Sequence, residues 1–180
     1  MSGAGPVGGT WRPSVEERGA LAGRWWQWAL SAPEEQCPVK DTTGEHAAWG
    51  QPDDLWFLAG TYGGRVVRRC AIPSDRPVFF PVLNMQHDRA YSRVPRSLPV
   101  AEATASLNGV PLPLQEFSAP FRTGPTQRYA WGVWGRIEPL APGQYVLEIK
   151  GRSTNGFWVD TTYHLDCAAS RAFSRDLLRS

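Results

Sequence analysis

Residues 157–167 constrain the fold of this chain most, because apolar and polar side chains alternate there without a break. Phe157, Val159, Thr161, Tyr163, Leu165 and Cys167 share one parity, and Trp158, Asp160, Thr162, His164 and Asp166 share the other. A strand sends successive side chains to opposite faces, so the pattern predicts a long strand with one face in a core. Just upstream, Leu140-Ala141-Pro142-Gly143-Gln144-Tyr145 has the form of a tyrosine corner, the β-sandwich device in which a phenol ties back to nearby backbone. Tyr145, Leu147 and Ile149 then face inward.

Other segments follow the same logic. Residues 55–60 form a continuous apolar run, as a buried strand does. Residues 65–72 and 78–83 read as two more strands, and Pro81 marks the second as an edge or a bulge. Asn108-Gly109, between two extended segments, predicts a tight hairpin. Tyr129, Trp131, Val133 and Ile137 belong to a further strand. Phe117 and Phe121 fall in a stretch that reads as irregular, and residues 33–54 and 84–99 read as long loops. Near the start, Ser14 with Glu17 three residues on is a capping box. Leu21, Trp25, Trp28 and Ala29 then recur at helical spacing, until Ala32-Pro33 stops the helix near Ser31. The expectation is an all-β chain: an antiparallel β-sandwich, jelly-roll or Ig-like, with one N-terminal amphipathic helix. It divides into a disordered tail (1–12), a single domain (13–170) and a C-terminal tail or short helix (171–180).

The formal charge is +2, and the seventeen arginines are scattered, against two lysines, Lys40 and Lys150. That pattern points away from nucleic acid. No stretch reaches the roughly 20 apolar residues of a membrane span, and the first ten residues lack the basic start and apolar run of a signal peptide. Three cysteines at irregular spacing give neither a disulfide framework nor a zinc motif. The expected setting is the cytoplasm, with no metal, no organic cofactor, and a homodimer left open.

Three sets of residues together resemble a family of small β-sandwich proteins common in actinobacteria. They are Trp25-Trp26-Gln27-Trp28 with Pro33; Asp41-Thr42-Thr43-Gly44 with Gly50-Gln51 and Trp56-Phe57-Leu58-Ala59-Gly60; and Arg69-Cys70 with Phe79-Phe80-Pro81-Val82-Leu83-Asn84. The resemblance spans about residues 24–167 and brings no activity with it. It implies that relatives are often exported and carry a cysteine near the position of Ala47, where it would pair with Cys70. Alanine at that position then implies an internal, biosynthetic member.

Nine tryptophans are the strongest chemical signal, and Trp25, Trp26, Trp28 and Trp49 gather near the predicted helix. Indoles are costly as core filler unless their N–H finds a partner, so the cluster implies an aromatic core or an aromatic pocket. Two long loops beside an aromatic helix are a natural place for a pocket. The expected catalytic groups are His87 and Asp88 in one loop and Asp41 and His46 in the other, with His87 as the acid/base. Trp25, Trp28, Trp49, Tyr62 and Asn84 are the expected substrate-binding residues. Asp41-Thr42-Thr43-Gly44 reads as an Asp-stabilised turn rather than a protease motif. His164-Leu165-Asp166 lacks the second histidine of a non-haem iron site. The first functional expectation is a cofactor-independent cyclase or isomerase of natural-product biosynthesis, acting on a small apolar organic substrate. The second is a non-catalytic β-sandwich module that binds carbohydrate or another small ligand, with Trp134 and Trp158 as exposed aromatic candidates.

Overall fold

The computed structural model describes residues 11–169. One helix, α1 (Val15–Ser31), precedes nine strands: β1 (Trp56–Phe57), β2 (Gly64–Pro73), β3 (Val78–Asp88), β4 (Val100–Leu107), β5 (Val110–Pro111), β6 (Leu114–Thr123), β7 (Thr126–Ile137), β8 (Gly143–Ser153) and β9 (Trp158–Ala168). A four-stranded sheet runs β1-β3-β7-β6 and a five-stranded sheet runs β2-β9-β8-β4-β5. The β-sandwich with its single helix is as the sequence implies. Two pairings, β1 with β3 and β2 with β9, are parallel, so both sheets are mixed rather than purely antiparallel. The expected C-terminal tail or helix lies outside the described residues.

There are two cores. The inner faces of the sheets enclose Phe80, Leu83, Trp131, Leu147, Tyr163 and Leu165, with Ala47 and Cys70 in the same cluster. A second core lies between α1 and the outer face of the four-stranded sheet, built on Trp25, Trp28, Phe57, Phe79, Phe121 and Trp134. The four-stranded sheet is therefore covered on both sides, which explains the unbroken burial of β7 from Ala130 to Gly135. Trp134 is fully buried there, stacked on Phe79 with centroids 5.0 Å apart. It cannot serve as an exposed platform; Trp158, 47% exposed, can.

Local chemistry accounts for the elements. Ser14 Oγ accepts the Glu17 N–H (3.2 Å) while Glu17 Oε2 accepts the Ser14 N–H (2.7 Å), completing the capping box. Ala32 is extended ahead of Pro33, which ends the helix. Gly23 permits close approach: a Cβ there would sit 2.8 Å from Phe121 Cβ. Asn108 and Gly109 have φ of 49° and 78°, the pair of positive values a type I′ hairpin needs. Tyr145 Oη donates to Ala141 O at 2.9 Å, closing the tyrosine corner.

Three expectations are corrected. Residues 114–123 are a strand, with Phe117, Ala119 and Phe121 buried at alternate positions. Pro120 disguises the pattern, yet β6 lies at the sheet edge, where a proline costs no ladder bond. The loop expected from residue 84 begins only after Asp88, because β3 runs on against β7. Trp11, assigned to the loose tail, packs edge-on against Phe79 and Phe117, centroids 5.9 and 6.4 Å away, because its indole extends the second core.

Candidate functional site

A groove of about 470 Å³ opens between α1 and the middle of β3. Trp25, Trp26 and Leu30 form the helix side, and Asn84, Met85 and Gln86 form the strand side. Gly60, Thr61 and Tyr62, with Val39, and Leu98, Asn155 and Phe157 complete the lining, and the Phe157 ring lies beside Gly63, next to Tyr62. Of the binding residues expected from sequence, Trp25, Tyr62 and Asn84 meet here.

A bulge turns the strand side toward the helix. Pro81 pairs with Trp134 and Leu83 with Val133, so Val82 is an extra residue. The parity of β3 flips beyond it, and Val82 and Leu83 both reach the inner core. Asn84 then pairs with Gly132 and Gln86 with Ala130. Cross-strand partners share a face, and Ala130 belongs to the helix-side core, so both amides stand on the face that α1 overlies. Were Val82 accommodated in a regular strand rather than a bulge, they would point into the sandwich.

The helix side is held by its indoles. Trp25 Nε1 donates to Leu58 O (3.0 Å), and its ring meets Trp26 edge-to-face at 4.9 Å. Trp28 Nε1 donates to Trp49 O (2.7 Å). Trp28 belongs to the helix-side core and Trp49 is partly buried against it; neither lines the groove.

Arg68 fixes the wall at Val39 and Gly60. It is 2% exposed, and its guanidinium meets no carboxylate among the described residues. Nε donates to Asp41 O, Nη2 to Val39 O, and Nη1 reaches Ala59 O, Gly60 O and Tyr163 Oη. Val39 and Gly60 line the groove, so one side chain sets the position of both. Tyr163 Oη donates in turn to Ala59 O at 2.8 Å. Burial pushes the Tyr163 phenol up to about 12, so it stays protonated and can donate. Sequence reading missed Arg68, because an arginine in an alternating strand looks like a surface residue.

The expected acid/base groups lie elsewhere. Asp41 Oδ1 accepts from Thr43 N, Thr43 Oγ1 and Gly44 N, and Oδ2 accepts from His46 N. Burial raises the Asp41 carboxyl, but those donors outweigh it and hold the group below its ordinary value. It is the hub of a turn. His46 is half-exposed, with Nε2 3.5 Å from Glu45 Oε1. His87 is buried: its Nε2 accepts the Arg96 N–H (3.2 Å), so Nδ1 carries the proton and donates to Asp88 O (3.0 Å). Asp88 Oδ1 caps the next turn by accepting the Ala90 N–H. None of these four residues lines the groove, and no hydrogen bond among the described residues joins His87 or Asp88 to Asp41 or His46.

Sequence reading did not single out Met85, Gln86, Leu98, Asn155 or Phe157 as wall residues. Their convergence depends on the bulge and on loops from three separate parts of the chain. Trp26 could have been found, since it lies on the flank of the buried helix face. A second depression, about 370 Å³, lies on the outer face of the five-stranded sheet between Arg69, Gln144, His164 and Asp166. Among the described residues no three His, Cys, Asp or Glu side chains converge where they could hold a metal ion. No described helix is long and apolar enough to cross a membrane.

No family model and no curated protein matches the chain. Among solved structures it is similar to the crystal structure of the cysteine protease inhibitor EhICP2 from Entamoeba histolytica, with 6% identity over 62% of this chain and 97% of that one and a TM-score of 0.26. It is also similar to the solution structure of Amebosin, with 10% identity over 58% of this chain and 96% of that one and a TM-score of 0.25. Likeness at this level assigns no function to the chain.

Proposed function

We propose that this protein is a ligand-binding β-sandwich module that holds a small, largely apolar molecule in the groove beside Trp25 and Trp26 without transforming it. The observation that carries this reading is the composition of the wall. Aromatic and aliphatic surfaces surround it, and its polar side chains are the uncharged Thr61, Tyr62, Asn84, Gln86 and Asn155. Binding sites for small molecules have this build, an apolar cavity of a few hundred Å³ with a few placed polar groups.

Cyclisation or isomerisation needs a proton donor or acceptor within reach of the bound molecule. The groups suited to it, His87, Asp88, Asp41 and His46, are engaged in turns away from the groove. Tyr62 is the titratable side chain of the wall, and burial moves its phenol further up, out of range for a base near neutral pH. These facts favour retention of a ligand over its conversion. Cys37, Cys70 and Cys167 are unpaired thiols, which supports a reducing compartment as the setting.

Leu30→Trp tests the site. Leu30 is 45% exposed at the groove rim, so a larger ring there fills the opening without entering either core. A fragment library screened by ligand-observed NMR should yield small apolar binders to the native protein that L30W loses. Binders held equally by both proteins would place the site elsewhere and overturn the reading.

A further inference from the structure

Two of the groove's amides, Gln86 and Asn155, are one-sided. Gln86 Oε1 accepts from Arg128 Nη1 at 2.9 Å, and Asn155 Oδ1 accepts from Ser153 Oγ and from the Phe157 N–H. Their oxygens are occupied within the protein, while their NH2 groups make no hydrogen bond to any described residue. Asn84 Nδ2 and Trp26 Nε1 are starved as well: both are shut off from solvent and neither meets an acceptor. A buried donor left unmade is expensive, and indole N–H can only donate. Unanswered N–H groups therefore collect around the groove: those of Gln86 and Asn155 lie on its lining residues, and those of Asn84 and Trp26 are closed off beneath the surface of theirs.

Charge narrows the class. No described arginine or lysine lines the groove; the nearby Arg68 guanidinium is fully used on Val39, Asp41, Ala59, Gly60 and Tyr163, and Arg128, the cation next to Gln86, is engaged by Gln86 Oε1 and Thr123 Oγ1. An anionic ligand would lose its hydration with no cation to replace it. A sugar would bring many hydroxyl protons into a wall where, of the three amide oxygens, those of Gln86 and Asn155 are already engaged and Asn84 Oδ1 alone is free to accept. A neutral carbonyl brings acceptor oxygen, needs no donor in return, and can ride on an apolar body.

Resting on the binding reading above, we propose that the groove selects neutral apolar molecules bearing a ketone, ester or lactone carbonyl. The carbonyl oxygen takes the free N–H groups of Asn84, Gln86 or Trp26, reached by a small turn of the side chain. The body lies against Trp25, Met85 and Phe157.

Isothermal titration calorimetry with matched probes tests this: 2-acetylnaphthalene, 2-ethylnaphthalene, which lacks the oxygen, and maltose as a hydroxylated control. The ketone should bind about tenfold more tightly than the hydrocarbon, as one net hydrogen bond allows, and maltose should not bind. Gln86→Glu retains an oxygen for Arg128 and removes the N–H; Asn84→Asp does the same at its position. Each should weaken the ketone by about tenfold while changing 2-ethylnaphthalene less than about twofold. Two variants guard against one that fails to fold, with thermal melts confirming each. Equal binding of ketone and hydrocarbon, equal losses for both in the variants, or binding of maltose would overturn the carbonyl assignment and leave the groove a binding site. Failure of both naphthalenes to bind would overturn the binding reading beneath it.

Discussion

Arg68 Nη1 lies 2.7 Å from the Tyr163 phenol oxygen, and both groups donate to the carbonyl of Ala59. A cation and a phenol inside a sandwich thus act together as a clasp on irregular backbone, drawing residues 39–41 and 59–60 against β2 and β9. Buried backbone carbonyls need donors, and the loop provides none of its own.

Replacing Arg68 by Lys should be far from conservative. A lysine offers a compact ammonium rather than a planar fork, so it leaves several of the carbonyls of Val39, Asp41, Ala59 and Gly60 unpaired. We expect a loss on the order of 3 kcal/mol in urea denaturation, from more than one unsatisfied buried group. A loss below about 1 kcal/mol, the size of one ordinary hydrogen bond, would show that the clasp is dispensable.

Gly23→Ala sets two effects against each other. Alanine favours a helix interior over glycine by about 1 kcal/mol. The new Cβ, however, would lie 2.8 Å from Phe121 Cβ, an atom fixed to the backbone of β6. Overpacking of this kind costs about 1–3 kcal/mol, so the sum should be destabilising. A rise in melting temperature would mean that α1 can lift from the sheet at little cost.

Acid should weaken the protein through its turns. The Asp41 carboxyl sits below its ordinary value of 3.8 in the fold, and Asp54 is lowered likewise by its hydrogen bond to Arg24. A depressed carboxyl contributes stability above its unfolded value, and that contribution is lost as pH falls through the folded one. Thermal melts of the native protein and of Asp41→Asn should differ most above about pH 5, and the gap should shrink steadily as pH falls below the ordinary carboxylate value and through the lowered folded one. A gap that stays constant across that range would show that the Asp41 charge has no part in the turn.

Much of the fold was legible because β8 and β9 each have one clearly buried face, and because Ser14-Glu17, Asn108-Gly109 and Tyr145 carry local chemistry that tertiary context did not override. The rest was hidden by context. In β7, burial on both faces erased the alternation past Tyr129, and Pro120 hid β6. The site was half legible. Trp25, Tyr62 and Asn84 were found as aromatic or loop-adjacent residues, but Asn84 and Gln86 stand on the helix-side face only because β3 bulges at Val82. The histidines and aspartates drew notice as chemistry; the side chains of Asp41, His87 and Asp88 bond to nearby backbone, while His46 joins its turn through its backbone N–H; residue type alone does not separate those roles.

The most direct test of a groove beside Trp26 is the indole region of a proton–nitrogen NMR correlation spectrum during titration with 2-acetylnaphthalene. Nine tryptophans give nine candidate signals, with Trp26 and Trp158 assigned by single Phe replacements. The account predicts that the Trp26 indole N–H shifts and saturates with ligand while that of Trp158, on the outer face of the other sheet, stays in place. Saturable movement at Trp158 with none at Trp26 would contradict it.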